Sequence, residues 1–138
     1  MANSGATATI VRWVLLVPAV LLTFYFWLAT AVGSYLIADQ FCPEELIVSN
    51  VCYAAYMNQL KEGLLLLFPA IAAGCMVLVA AAVAPSRKTF AALATFIFGS
   101  IFALYQAIDA GYWETLALSE IVALLALVRV YRKYRLKS

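Results

Sequence analysis

The sequence predicts an all-α integral membrane protein: an antiparallel bundle of four transmembrane helices with its N- and C-termini in the cytoplasm. Its 138 residues are 67% hydrophobic and 12% charged, whereas a soluble domain carries about twice that charged fraction. A chain of this length cannot bury so much apolar surface in its own core, so we expect a membrane to cover it. The second observation is that basic and acidic residues are segregated along the chain.

Four apolar segments predict the spans, within a single membrane domain that comprises the whole chain. A membrane-crossing helix needs roughly 17–25 apolar residues. Segments 63–84 and 89–108 have this length, segment 115–130 is short, and segment 10–37 is long enough to tilt or protrude. Because the apolar run of segment 10–37 exceeds that of a signal peptide, we expect it to be retained as the first span.

The charged residues predict the orientation of these spans. Eight of the nine basic residues flank the predicted cytoplasmic ends, and the ninth, Lys61, lies in the 38–62 loop. By the positive-inside rule, both termini are cytoplasmic and the loop is outside, in what we expect to be a bacterial inner (plasma) membrane. The eight are Arg12, Arg87, Lys88, Arg129, Arg132, Lys133, Arg135 and Lys137. The acidic residues all fall in the other half: Asp39, Glu44, Glu45, Glu62, Asp109, Glu114 and Glu120.

The basic C-terminal tail is predicted to bind anionic lipid at the cytoplasmic face. Each basic residue near such a surface contributes about 1 kcal/mol. The tail follows a span directly and is too short for a nucleic-acid domain, so no nucleic-acid partner is expected. Its anchoring residues are Arg129, Arg132, Lys133, Arg135 and Lys137.

Two of the three cysteines, Cys42 and Cys52, lie in the outer loop. The predicted location is oxidising, so we expect a disulfide that stabilises the loop. In the chain-entropy model, closing so small a loop contributes roughly 2–3 kcal/mol. A redox dithiol is the alternative, although the separation is wider than in a Cys-x-x-Cys pair and reactive thiols need a more specific setting.

Tyr53, Tyr56 and Met57 fall on one helical face if the second helix begins near residue 50 and stands above the membrane. Two interpretations remain open for this face. It packs against the first span, or it is an exposed surface on which a partner protein docks.

Glu120 is an ionisable residue inside the fourth apolar segment, and such residues are costly in a membrane. Counting about 1.5 Å per residue places Gln106 within roughly 5 Å of its depth, and Asp109 shares a helical face with Gln106. We therefore expect a polar cluster of Gln106, Asp109 and Glu120. It either pins the helices together or binds a cation, a proton or a substrate amine.

The absence of histidine excludes a histidine-ligated metal or haem site and a histidine general base. We identify no catalytic residues and expect neither a cofactor nor a metal. The sequence favours a small accessory or interaction protein: a subunit or assembly factor of a larger membrane complex, or an immunity-type protein, with a membrane-protein partner or a second copy of the chain. The alternative is a small oligomeric transporter or channel that uses Glu120.

Overall fold

The computed structural model describes residues 4–49 and 51–135, which form four helices and one small hairpin. The hairpin joins the first two helices and pairs Ile47 with Cys52 in an antiparallel register. A single 3₁₀ turn, Glu44–Leu46, precedes it. The helices are α1 (Ser4–Gln40), α2 (Ala55–Val83), α3 (Lys88–Ala110) and α4 (Trp113–Arg135), and the strands are β1 (Ile47–Val48) and β2 (Val51–Cys52).

Local sequence explains where α2 and α3 end. Ala84 precedes Pro85 and adopts an extended conformation (φ −56°, ψ 125°), because a following proline disfavours the helical region. Gly111 ends α3 in the left-handed region (φ 78°) and its N–H donates to the carbonyl of Ala107 at 2.9 Å. These short connections make α2, α3 and α4 antiparallel neighbours.

α2 is the central helix and packs against α1, α3 and α4, while α3 also packs against α4. α1 reaches α3 through the rings of Phe24 and Phe102, whose centroids are 6.1 Å apart. The inner face of α2 is built from small residues, so neighbouring backbones approach closely. The main core cluster consists of Val77, Ala81, Ala92, Ala123, Ala126 and Val130.

Three helices are long and apolar enough to cross a membrane: Thr7–Gln40, Ala55–Val83 and Lys88–Ala110. α4 is not among them. Every stretch of 18 residues within α4 includes Glu120, Arg129 and at least one further charged residue. Length and composition therefore support three of the four predicted spans.

The predicted helix bounds differ from the structure mainly around the 38–62 loop. α1 continues to Gln40 and α2 begins at Ala55, whereas the sequence predicted a start near residue 50. The reason is that residues 51–52 pair as β2, and Ala54 remains extended before the first turn of α2.

Candidate functional site: the disulfide-linked hairpin and the Glu120 carboxylate

The segment between α1 and α2 is closed by a disulfide. Cys42 and Cys52 are bonded, with their Cα atoms 6.0 Å apart, and both are buried. Backbone hydrogen bonds also lie inside the closed loop or next to it: the Leu46 N–H donates to the Pro43 carbonyl, and the Tyr53 N–H donates to the Leu46 carbonyl. The loop is thus an ordered element.

Side chains also join the end of α1 to the start of α2. The Tyr56 hydroxyl donates to the carbonyl of Phe41 at 3.0 Å. One turn further along α2, the Lys61 carbonyl accepts a hydrogen bond from Tyr35 at 2.9 Å, and the Lys61 ammonium lies 2.6 Å from Asp39. The ends of α1 and α2 that flank the hairpin are therefore joined by contacts at several levels.

Met57 is fully buried under the hairpin, with an exposed fraction of 0%. It packs in a small cluster with Ala38, Cys42, Cys52 and Ala54. The expected docking face of Tyr53, Tyr56 and Met57 thus divides in two. Tyr53 precedes α2 and is not helical, so it does not share a helical face with Met57. Met57 is buried, whereas both tyrosines are exposed.

Around this buried cluster lies a set of exposed apolar and aromatic side chains, which we call the hairpin patch. Its most exposed members are the large aromatic side chains of Phe41 and Tyr53, at 72% and 67%. Exposed apolar side chains that lie close together are typical of interaction or membrane-contact surfaces. The hairpin patch consists of Phe41, Leu46, Ile47, Val48, Tyr53 and Tyr56.

Glu120 contacts α3 through Ser100. The Ser100 hydroxyl is 2.8 Å from Oε2 of Glu120 and 2.9 Å from the carbonyl of Phe96. A hydroxyl has one proton, so it donates to one of these acceptors at a time. The contact lies at the α3–α4 interface, where Ser100 and Glu120 are both half-buried.

The structure does not bring Gln106 or Asp109 to Glu120. Both are exposed, and among residues 4–49 and 51–135 neither makes a hydrogen bond or an ion pair with the Glu120 carboxylate. Ser100 lies six residues before Gln106, which corresponds to about 9 Å along α3. Glu120 is thus level with the middle of α3 and not with its C-terminal end.

Apart from Lys61, the basic residues lie at the end of the bundle opposite the hairpin. Lys88 and Lys133 place their ammonium groups 4.9 and 5.7 Å from the ring centroid of Tyr134. Arg129 and Arg132 are exposed on α4. The predictions for the Arg135 side chain and for Lys137 lie outside the described residues.

Within the described part of the chain, no group of three or more His, Cys, Asp or Glu side chains is arranged to hold a metal ion. Cys75 is a free, half-buried cysteine of α2. Comparison with known proteins found no matching family model, no matching curated protein and no matching solved structure.

Proposed function

We propose that this chain is a small polytopic accessory protein of a membrane, without catalysis of its own, which docks a membrane-protein partner through the hairpin patch. Such a protein would be a subunit or assembly factor of a larger complex, or an immunity-type protein. The observation that carries the proposal is that exposed Tyr53 and its apolar neighbours lie on a disulfide-linked element.

The order of the hairpin supports this role. A loop that is already fixed loses less conformational entropy when a partner binds, so more of the contact energy remains as affinity. Tyrosines are enriched among the residues that dominate binding energies. The hydrogen bond from Tyr56 to the Phe41 carbonyl further orients the base of the hairpin patch.

The proposed topology has four spans, both termini in the cytoplasm and the hairpin patch on the outer face of a bacterial inner membrane. The distribution of charge supports it, because eight of nine basic residues group at the ends opposite the hairpin. α4 would be the least apolar span. The hydrogen bond between Ser100 and Glu120 reduces the cost of its central carboxylate.

The first experiment is purification in mild detergent at native expression level, followed by mass spectrometry of bound proteins. It compares Tyr53→Ala with Tyr105→Ala, a matched control on α3. The two tyrosines are 67% and 64% exposed, so both substitutions remove similar surface. We expect a stoichiometric partner that Tyr53→Ala loses and Tyr105→Ala retains.

A pure homo-oligomer without another protein would contradict the docking proposal. Equal loss of the partner in both variants would also contradict it, since the interface would not then depend on the hairpin patch. Helix content and the Cys42–Cys52 disulfide are measured in each variant to show that the fold is kept.

The second candidate function is a small oligomeric transporter or channel. The observation in its favour is the Glu120 carboxylate at the α3–α4 interface, where it could bind a cation, a proton or a substrate amine. Reconstituted vesicles should then show a flux that Glu120→Gln abolishes while the protein stays folded. Flux that is unchanged by this substitution would eliminate Glu120 as the transport site.

A further inference from the structure

A cavity of about 190 Å³ opens between α2 and α4 at the basic end of the bundle. The two helices line it with different kinds of side chain. α2 contributes the apolar side chains of Leu78, Ala81 and Ala82, and α4 contributes Arg129 and Lys133. Val130 and Tyr134 of α4 also line it, so the α2 side of the cavity is apolar and the α4 side carries two cations among other side chains.

The two cationic side chains lie four residues apart, so they share one face of α4. Among the described residues, neither forms a salt bridge with an acidic side chain. The nearest acidic residue along α4 is Glu120, nine residues before Arg129 and hence about 13 Å away. The charge on this side of the cavity is thus positive, and no acidic side chain of the described residues neutralises it.

Tyr134 extends this positive region to α3. Its ring also lines the cavity, and the ammonium groups of Lys88 and Lys133 lie 4.9 and 5.7 Å from the ring centroid. Lys88 is the first residue of α3. Three helices therefore meet at this site, with α2 supplying apolar contact and α3 and α4 supplying cations.

We propose that this cavity binds the phosphate group of an anionic lipid, with Arg129 and Lys133 on the phosphate and Leu78 and Ala82 against the start of an acyl chain. Leu78 and Ala82 belong to the last turns of α2, one of the helices apolar enough to cross a membrane. The apolar part of the lining thus matches the acyl chain of a lipid, and the cationic part matches its phosphate. Basic pockets between helices at this boundary suit anionic head groups.

A soluble phosphate shares the chemistry that the two cations recognise. It has no apolar part, however, and would leave the exposed side chains of Leu78 and Ala82 uncovered. The lipid is therefore the occupant to which the proposal commits, and the experiment must distinguish these two sources of phosphate.

The test is native mass spectrometry of the full chain in detergent, titrated with phosphatidylglycerol or with phosphatidylcholine of the same acyl chains. The wild type should retain phosphatidylglycerol selectively. The double substitution Arg129→Gln/Lys133→Gln should weaken this binding about 30-fold, at about tenfold per 1.4 kcal/mol and about 1 kcal/mol for each basic residue.

The matched control is Arg87→Gln/Arg132→Gln, which removes the same charge from the same end without altering the lining of the cavity. It should weaken binding far less. Equal weakening by both double substitutions would overturn the proposal, because binding would then follow the general charge of the surface. Equal retention of the two lipids by the wild type would also overturn it.

Inorganic phosphate is added as a competitor in a parallel titration. Displacement of the lipid by phosphate at a similar concentration would overturn the assignment to a lipid and identify a soluble phosphate ligand. Should the double substitution fail to fold, Ala82→Leu narrows the apolar side with all charges intact. It should also weaken phosphatidylglycerol binding, and unchanged binding would contradict the proposal.

Discussion

Gly74 of α2 lies against Val122 of α4 so closely that a Cβ at position 74 would be 2.9 Å from Cγ1 of Val122. Real Cβ atoms essentially never approach a neighbour at this distance. Val122 is β-branched and has few alternative rotamers, so it cannot easily turn aside. This pair therefore determines how closely α2 and α4 pack.

Gly74→Ala should lower the free energy of unfolding by about 1–3 kcal/mol, because the added methyl group overpacks the α2–α4 interface. The control is Gly99→Ala on α3, where a Cβ would meet nothing within 4 Å. That variant should be neutral or more stable, by up to about 1 kcal/mol, since alanine is the better helix former. Thermal unfolding in detergent measures both, and equal effects would contradict the packing at Gly74.

Removing the disulfide by Cys42→Ser/Cys52→Ser should destabilise the hairpin by about 2–3 kcal/mol, the chain-entropy value for a link between residues ten apart. Proteolysis of the 41–54 segment is the readout, and the rate of cleavage should rise. The same treatment of wild-type protein with and without a reducing agent is the control. Cleavage that does not respond to either change would show that the hydrogen bonds of Tyr35 and Tyr56 suffice to order the hairpin.

Met57→Ala should lower stability by about 2–5 kcal/mol, because it empties a fully buried site beneath the hairpin. The control is Leu60→Ala, at an exposed position about one turn further along α2, which should lower the free energy of unfolding much less. Unfolding measured for the two variants side by side tests this difference. A comparable loss in both would contradict the inward orientation of Met57.

Ser100→Ala should destabilise the α3–α4 interface by about 1–3 kcal/mol, because the half-buried Glu120 carboxylate loses its hydrogen-bond donor. Glu120→Gln should be nearly neutral. Its amide can donate to Ser100 while Ser100 donates to the Phe96 carbonyl, so both contacts are satisfied. Chemical denaturation of the two variants tests this ranking, and the reverse order would contradict it.

Sequence patterns were most informative where one residue has a strong local effect. The predicted segment 63–84 ends within one residue of the end of α2, because Pro85 disfavours helix in the residue before it. The pairing of Cys42 with Cys52 followed from their proximity in a predicted oxidising loop. These features depend on a few neighbouring residues and hardly at all on tertiary packing.

The inward position of Met57 and the partner of Glu120 could not be derived in the same way. The inward position of Met57 depends on where α2 begins, and that start is set by the pairing of the two-residue strands β1 and β2 just before it. The second depends on the relative axial shift of α3 and α4. Counting residues from the α3–α4 connection assumed that the two helices start at the same depth, and an error of six residues along α3 predicted Gln106 in place of Ser100.

The disulfide, the two tyrosine hydrogen bonds and the salt bridge that join the α1 end to the α2 start all involve residues before position 62, whereas the contacts of α2 with α4 involve residues after position 112. The ribosome synthesises the residues of the first set before those of the second. The α1–α2 pair can therefore acquire its covalent link and its hydrogen bonds while the last helix is still being synthesised. α2, which packs against the other three helices, is then already synthesised when α4 is completed, and the absence of a side chain at Gly74 leaves room for Val122.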